Sequence, residues 1–187
     1  MEITIFKDIK DTAQPFYRDV NKIIKRIQEG ASQEIVRAIR LEKDKERRNQ
    51  LKQSLPAICF SGKFTKRNDA SLVEHSGLMC LDFDSFPSEK EMLEEKENLT
   101  KDRYTYSVFV SPSGLGLKVL VKIPAEEENH KKFFNSLEKH YNSEYFDKTC
   151  KNLSRASLSS IISCKEIGLD CFSLHLSDNF FCFQSSK

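Results

Sequence analysis

Apolar positions along the chain recur first at a strand period and then at a helical one. Glu2–Phe6 places Ile3 and Ile5 on one side of a short β-prone segment. After Pro15, residues Phe16, Val20, Ile23, Ile24 and Ile27 fall at helical spacing, and Gly30 is placed to end that helix. Ser32 can cap a second helix carrying Ile35, Val36 and Ile39. The stretch 43–53 is dense in charges of both signs, which predicts a helix that is either solvated or turned towards DNA. Pro56 ends it.

From there the order of predicted elements becomes specific. An apolar run at 57–60 precedes Ser61-Gly62, and 78–84 reads as a strand. Ser88 can cap a charged helix reaching about Asn98. Strands at 104–110 and 117–123 flank the turn Ser111-Pro112-Ser113-Gly114. Phe133, Phe134, Leu137 and Tyr141 share a helical face, and Tyr145-Phe146 leads into Asp147. This β-α-β-β-α-β order predicts an α+β fold, an RRM-like (ferredoxin-like) antiparallel sheet with helices on one face and the other face free for chemistry. Residues 1–56 read as an N-terminal strand and helices that pack on or extend the core. Residues 57–156 read as the sheet-bearing unit, and 157–187 as a tail of different composition.

Composition narrows the class. Charged residues make up 31% and the net charge is only +2, so the total does not announce a nucleic-acid binder. Its distribution is uneven. Basic residues outnumber acidic ones 13 to 9 over 1–56, acidic outnumber basic 8 to 3 over 82–102, and 103–125 holds three cations and no acid. No apolar run of about 18 residues is present to span a membrane, and the first residues do not form a secretory signal. The six cysteines show no CxxC pair, which suits reduced thiols in a cytoplasmic protein. Cys164, Cys171, His175 and Cys182 could be drawn as a zinc site, but their gaps match no usual ligand spacing.

Three segments carry candidate chemistry. In Leu81-Asp82-Phe83-Asp84, strand alternation puts Asp82 and Asp84 on one face, roughly 6.6 Å apart. Two carboxylates there can converge on a hard divalent cation, or simply mark a strand end entering solvent. In the hairpin Ser111 to Lys118, Gly114 and Gly116 permit a tight turn and close approach to a phosphate. Lys118 is the cation nearest that turn on the same open face; a plain hairpin is the alternative. The third segment, 146–155, offers Asp147 at a strand end, then Lys151 and Arg155 as possible phosphate contacts, or an ordinary polar loop. Acids and cations on successive elements of one sheet are the equipment of two-metal phosphoryl transfer.

The order of these motifs resembles the archaeo-eukaryotic primase (prim-pol) superfamily. More narrowly it resembles the VirE-type N-terminal primase-like domain of bacterial primase–helicase proteins from mobile elements. The resemblance rests on Leu81-Asp82-Phe83-Asp84, the segment Ser111 to Lys118, Asp147 with Ser154-Arg155, and the upstream stretch 55–64, and it covers about residues 40–156. It implies an RRM-like catalytic palm at 57–156, Mg²⁺ or Mn²⁺ at Asp82, Asp84 and Asp147, nucleoside triphosphates and a DNA template. It also implies contacts to the nucleotide from Lys118 and Arg155, and a helicase domain or subunit as partner. Many prim-pols carry His where Lys118 stands, and lysine cannot reproduce a neutral imidazole's hydrogen bonding. Residues 156–187 do not follow the family pattern, which suggests a truncated, frameshifted or diverged end.

Two rival readings share part of this pattern. A DxD nucleotide-sugar transferase also places paired acids after an apolar strand, but needs a parallel βαβ region upstream. The other is a degenerate palm that only binds nucleic acid or a partner, which Asp147 standing away from Asp82 and Asp84 would favour.

Overall fold

The computed structural model describes residues 1–158 and 172–174. The candidate zinc ligands Cys164, Cys171, His175 and Cys182, and most of the tail, lie outside them. Within them the fold is mixed α+β, with antiparallel sheets and five α-helices.

The chain opens with strands β1 (Glu2–Phe6) and β2 (Phe16–Asp19) and helices α1 (Val20–Gln28), α2 (Gln33–Leu41) and α3 (Lys45–Gln53). Strand β3 (Ala57–Cys59) and the hairpin β4 (Gly62–Phe64) and β5 (Leu72–His75) follow. Then come β6 (Leu78–Phe83), α4 (Glu89–Lys101), β7 (Thr105–Val110), β8 (Leu117–Lys122) and α5 (His130–Tyr141). Two short strands close the described part, β9 (Ser157–Leu158) and β10 (Phe172–Leu174). One sheet runs β2-β1-β3-β9 and another β10-β7-β8-β6. Phe146 bridges Phe83 in antiparallel sense on the remaining edge of β6.

Local chemistry sets the boundaries. The Asp19 carboxylate accepts from Asn21 N, so α1 begins at Val20. Phe16 therefore does not join that helix as the spacing predicts; it pairs with Ile5 across the β1–β2 hairpin. Asp44 caps α3 and Ser88 caps α4 by accepting from Arg47 N and Glu91 N. Ser32 is at the N-cap of α2, with no side-chain cap bond. Acids in the first turn of α4 and Lys101 in its last complement the helix dipole.

Strand alternation divides the β6–β7–β8 sheet into two differently covered faces. Leu81, Phe83, Val108, Val119 and Val121 point into a core completed by Met92 and Leu99 of α4 and Phe133, Phe134 and Leu137 of α5. The opposite face is not free, as the topology alone suggests. Leu78, Phe109 and Leu120 there pack against Ile23, Ile24 and Ile27 of α1 and against Ile58 and Phe60. Burying each such side chain is worth about 1.5–3 kcal/mol, so the N-terminal region is stitched to this sheet by hydrophobic contact. Residues 57–59, read from the sequence with the central unit, pair instead with β1 and β9. The cover stops short of the strand end that carries Asp82 and Lys118.

Candidate functional site

Register positions the centre of the site. Asp82 on β6 lies directly opposite Lys118 on β8, and Asp82 is 3% exposed. Lys118 Nζ sits 2.6 Å from Asp82 Oδ1, and an Arg155 guanidinium nitrogen 3.3 Å from Oδ2. A carboxylate this deeply buried needs such partners, because an unpaired charge there is far more costly than a polar group. Burial alone would lower the Lys118 pKa; Asp82 outweighs it and holds the ammonium above its ordinary range.

The third acid arrives from the other side of β6. Asp147 N donates to Asp82 O at 2.8 Å and Asp84 N to Tyr145 O at 2.8 Å, flanking the Phe83–Phe146 bridge. Asp147 thus stands beside Asp82 although 65 residues separate them in sequence. Its Oδ1 accepts from Thr149 N and Oγ1, and its Oδ2 accepts from Cys150 Sγ at 3.0 Å, with Arg155 at 3.8 Å. Partial burial opposes ionisation of Asp147, but the Cys150 and Thr149 donors and Arg155 prevail and set its pKa below the usual carboxylate range. Cys150 Sγ also reaches Asp82 Oδ2 at 3.4 Å. Burial, then the Asp82 charge, pushes this thiol far up, so it stays protonated and donates to both acids.

Asp84 stands past the end of β6 and lines the cleft with Asp82. Burial, reinforced by Asp82 and Asp147 and opposed by Lys118, raises its pKa. Gly116 explains how it fits: a Cβ there would collide with Asp84 Oδ1 and come within 3.1 Å of Phe83 O and Ser111 Oγ. The close approach that glycine permits at 116 is therefore to the acidic strand end. Gly114, at φ +88°, closes the hairpin by donating to Ser111 O and lies against Arg40 of α2. Arg40 in turn donates to Pro112 O and Ser111 O.

The cleft encloses about 580 Å³, and Asp82, Asp84, Ser111, Ser113, Lys118 and Arg155 line it together. Gly114, Gly116 and Asp147 do not line it; Gly116 lies against Asp84 and Asp147 against Asp82. Lys151 is placed elsewhere, its ammonium 6.0 Å from the centre of the Phe134 ring. Other lining residues were given no role from the sequence: Lys52 of α3, Arg67 before β5, and Asn152; Ser154, noted beside Arg155 in the motif, also lines the cleft. Lys52 belongs to the densely charged helix read as solvated or DNA-facing, which was the one available signal. Burial, with Arg48 and Lys118 nearby, lowers its pKa against the pull of Asp84. Ser154 is held by Asp69, which accepts from both its N and Oγ, and this fixes the approach of Arg155.

The donor set bears on the cation the motifs imply. Ligand atoms of Asp82, Asp147 and Cys150 lie within 4.8 Å of one another. The two carboxylates suit a hard divalent cation such as Mg²⁺ or Mn²⁺; the protonated thiol does not and serves as a hydrogen-bond donor. Asp84 lines the cleft but is not among the groups whose ligand atoms gather within that distance.

The acids and cations that line the cleft all fall inside a recognisable family domain. The family model described as "BT4734-like, N-terminal domain" matches residues 50–167, and the chain belongs to this family. The match extends past residue 156, where the motif resemblance stops. Comparison with curated proteins and with solved structures yields no match.

Among the described residues no helix is long and apolar enough to cross a membrane.

Proposed function

We propose that this chain is a primase–polymerase-type nucleotidyltransferase domain that joins nucleotides from NTP or dNTP on a DNA template, with Mg²⁺ or Mn²⁺ bound by Asp82, Asp84 and Asp147. The observation that carries this reading is the meeting of Asp82 and Asp147 on neighbouring β-segments beside a cleft whose walls bear Lys118 and Arg155. The topology supports it. The chain visits β6, α4, β7, β8, α5 and the Phe146 bridge in turn, with β6 and β8 adjacent and both helices on one face. This order supports reading the unit as a split βαβ, RRM-like palm.

The bound cation would lower the pKa of an attacking 3′-hydroxyl and offset charge on the α-phosphate. The protein's part is to orient and neutralise. Lys118 and Arg155, which here neutralise Asp82, would take phosphate oxygens of the triphosphate and of the departing pyrophosphate. Ser111 and Ser113, whose hydroxyls lie 3.1 Å apart, present donors from the hairpin, and Lys52 and Arg67 add positive charge to the lining. A helicase domain or subunit, replication of mobile-element DNA and a cytoplasmic setting belong to the same proposal.

A second reading has its own support. Asp82 is already neutralised by Lys118 and Arg155, an arrangement that suits a cleft that binds phosphates without chemistry. The sugar-transferase alternative loses ground, since every strand pair among the described residues is antiparallel. Primer synthesis and extension with Mg²⁺ or Mn²⁺ test the proposal. Activity is expected from the wild type and absent from Asp82→Ala/Asp84→Ala. Activity that survives the double substitution would overturn the site. Triphosphate binding without turnover in the wild type would favour the binding module.

A further inference from the structure

A second concavity, about 510 Å³, shares no lining residue with the acidic cleft. It lies between α1 and the β1–β2 end of the N-terminal sheet, on a floor that includes Ile5, Ile27 and Ile58. Its rim is cationic on both sides. Arg18 projects from β2, Lys22 and Arg26 stand one turn apart on α1, and Lys7 follows β1. All four are exposed, and none forms an ion pair among the described residues. Glu29 is the lone carboxylate on the lining, and its contact is with Lys25 at 3.8 Å. Phe16 completes the rim with 51% of its surface exposed.

This combination costs free energy in the isolated chain. Four cations around one groove repel each other, and an exposed aromatic ring beside an apolar floor orders water. A ligand with regularly spaced negative charge and flat apolar faces relieves both at once. Single-stranded nucleic acid has that chemistry: phosphates for the cations and a base for the ring. An acidic peptide would answer the charges but offers no systematic partner for Phe16.

We infer that this groove binds single-stranded nucleic acid, with phosphates on Lys7, Arg18, Lys22 and Arg26 and a base stacked on Phe16. The inference goes beyond the cleft and does not depend on catalysis there.

Fluorescence anisotropy with a labelled oligothymidylate tests it on the full chain, with a labelled polyglutamate peptide as competitor class. Binding is expected to weaken with salt, with a log–log slope near −3 for about four phosphate contacts. Lys22→Glu/Arg26→Glu should weaken binding at least about ten-fold and flatten that slope. Phe16→Ala should weaken it by roughly five-fold or more with the slope unchanged. Circular dichroism on each variant confirms that these exposed substitutions leave the fold intact. Lys90→Glu/Lys101→Glu, a reversal of exposed cations on α4 that line neither concavity, should keep oligonucleotide affinity within about two-fold, which separates the groove from net charge. Wild-type affinity in Lys22→Glu/Arg26→Glu would overturn the inference. So would polyglutamate binding as tight as oligothymidylate with Phe16→Ala silent, which would make the groove a protein-docking surface.

Discussion

Lys118 and Asp82 face each other across β8 and β6, 2.6 Å from ammonium to carboxylate, with the Asp82 side chain 4% exposed. Removing one member of such a pair strands the other in low dielectric. Lys118→Met should lower unfolding free energy by about 3 kcal/mol, towards the low end for a broken buried pair because Arg155 still reaches Asp82. Urea denaturation measures it. Asp82→Asn/Lys118→Met should recover part of the loss, and simple additivity would deny the coupling.

Gly116→Ala tests the packing that seats Asp84. The new methyl would meet the Asp84 carboxylate, Phe83 O and Ser111 Oγ, at a cost of about 1–3 kcal/mol. Adding Asp84→Ala should restore part of that stability. A denaturation midpoint unchanged by Gly116→Ala would contradict the geometry.

His75 and His130 should make stability depend on pH. Their ring nitrogens are 3.1 Å apart, and burial, then His75, lowers the His130 pKa to about 4, with Asp69 opposing and Lys131 assisting. His75 is lowered by burial too. The unfolded chain therefore binds more protons between about pH 4 and 6.5, so stability rises with pH across that window and is lost as pH falls through it. The His130 contribution is on the order of 3 kcal/mol. Thermal unfolding from pH 4.5 to 7, compared with His130→Phe, isolates it as a flatter profile in the variant.

Mn²⁺ should raise the melting temperature of the wild type and leave that of Asp82→Asn nearly unmoved. At about 100 times the dissociation constant the linkage amounts to about 2.7 kcal/mol. An equal shift in both proteins would remove Asp82 from the metal-binding set.

Much of the central sheet was legible in the residues themselves. Leu81 and Phe83 against Asp82, and Leu117, Val119 and Val121 against Lys118, declare their faces by strict alternation, and the structure keeps those faces. In the N-terminal sheet β1 was legible as the β-prone Glu2–Phe6, but its pairing was not. Strands β2, β3 and β9 are two to four residues long, and β3 joins β1 across more than fifty positions, so no local period marks the partners. Phe16 continues the helical spacing of Val20 and Ile23, yet the Asp19 cap and pairing with Ile5 override it. Lys52 and Arg67 reach the cleft from elements remote in sequence, and Cys150 reads as one more apolar residue until Asp82 and Asp147 close around it.

The polar row across the sheet also has a consequence for folding. A slip of one position between β6 and β8 would turn Lys118 towards Phe133 and Phe134 and set Asp82 against an aliphatic neighbour. Aliphatic strands such as these could otherwise slide past one another at modest cost. The single ion pair acts as an index mark, and a chain that mispairs its strands loses its alignment and its acidic cleft together.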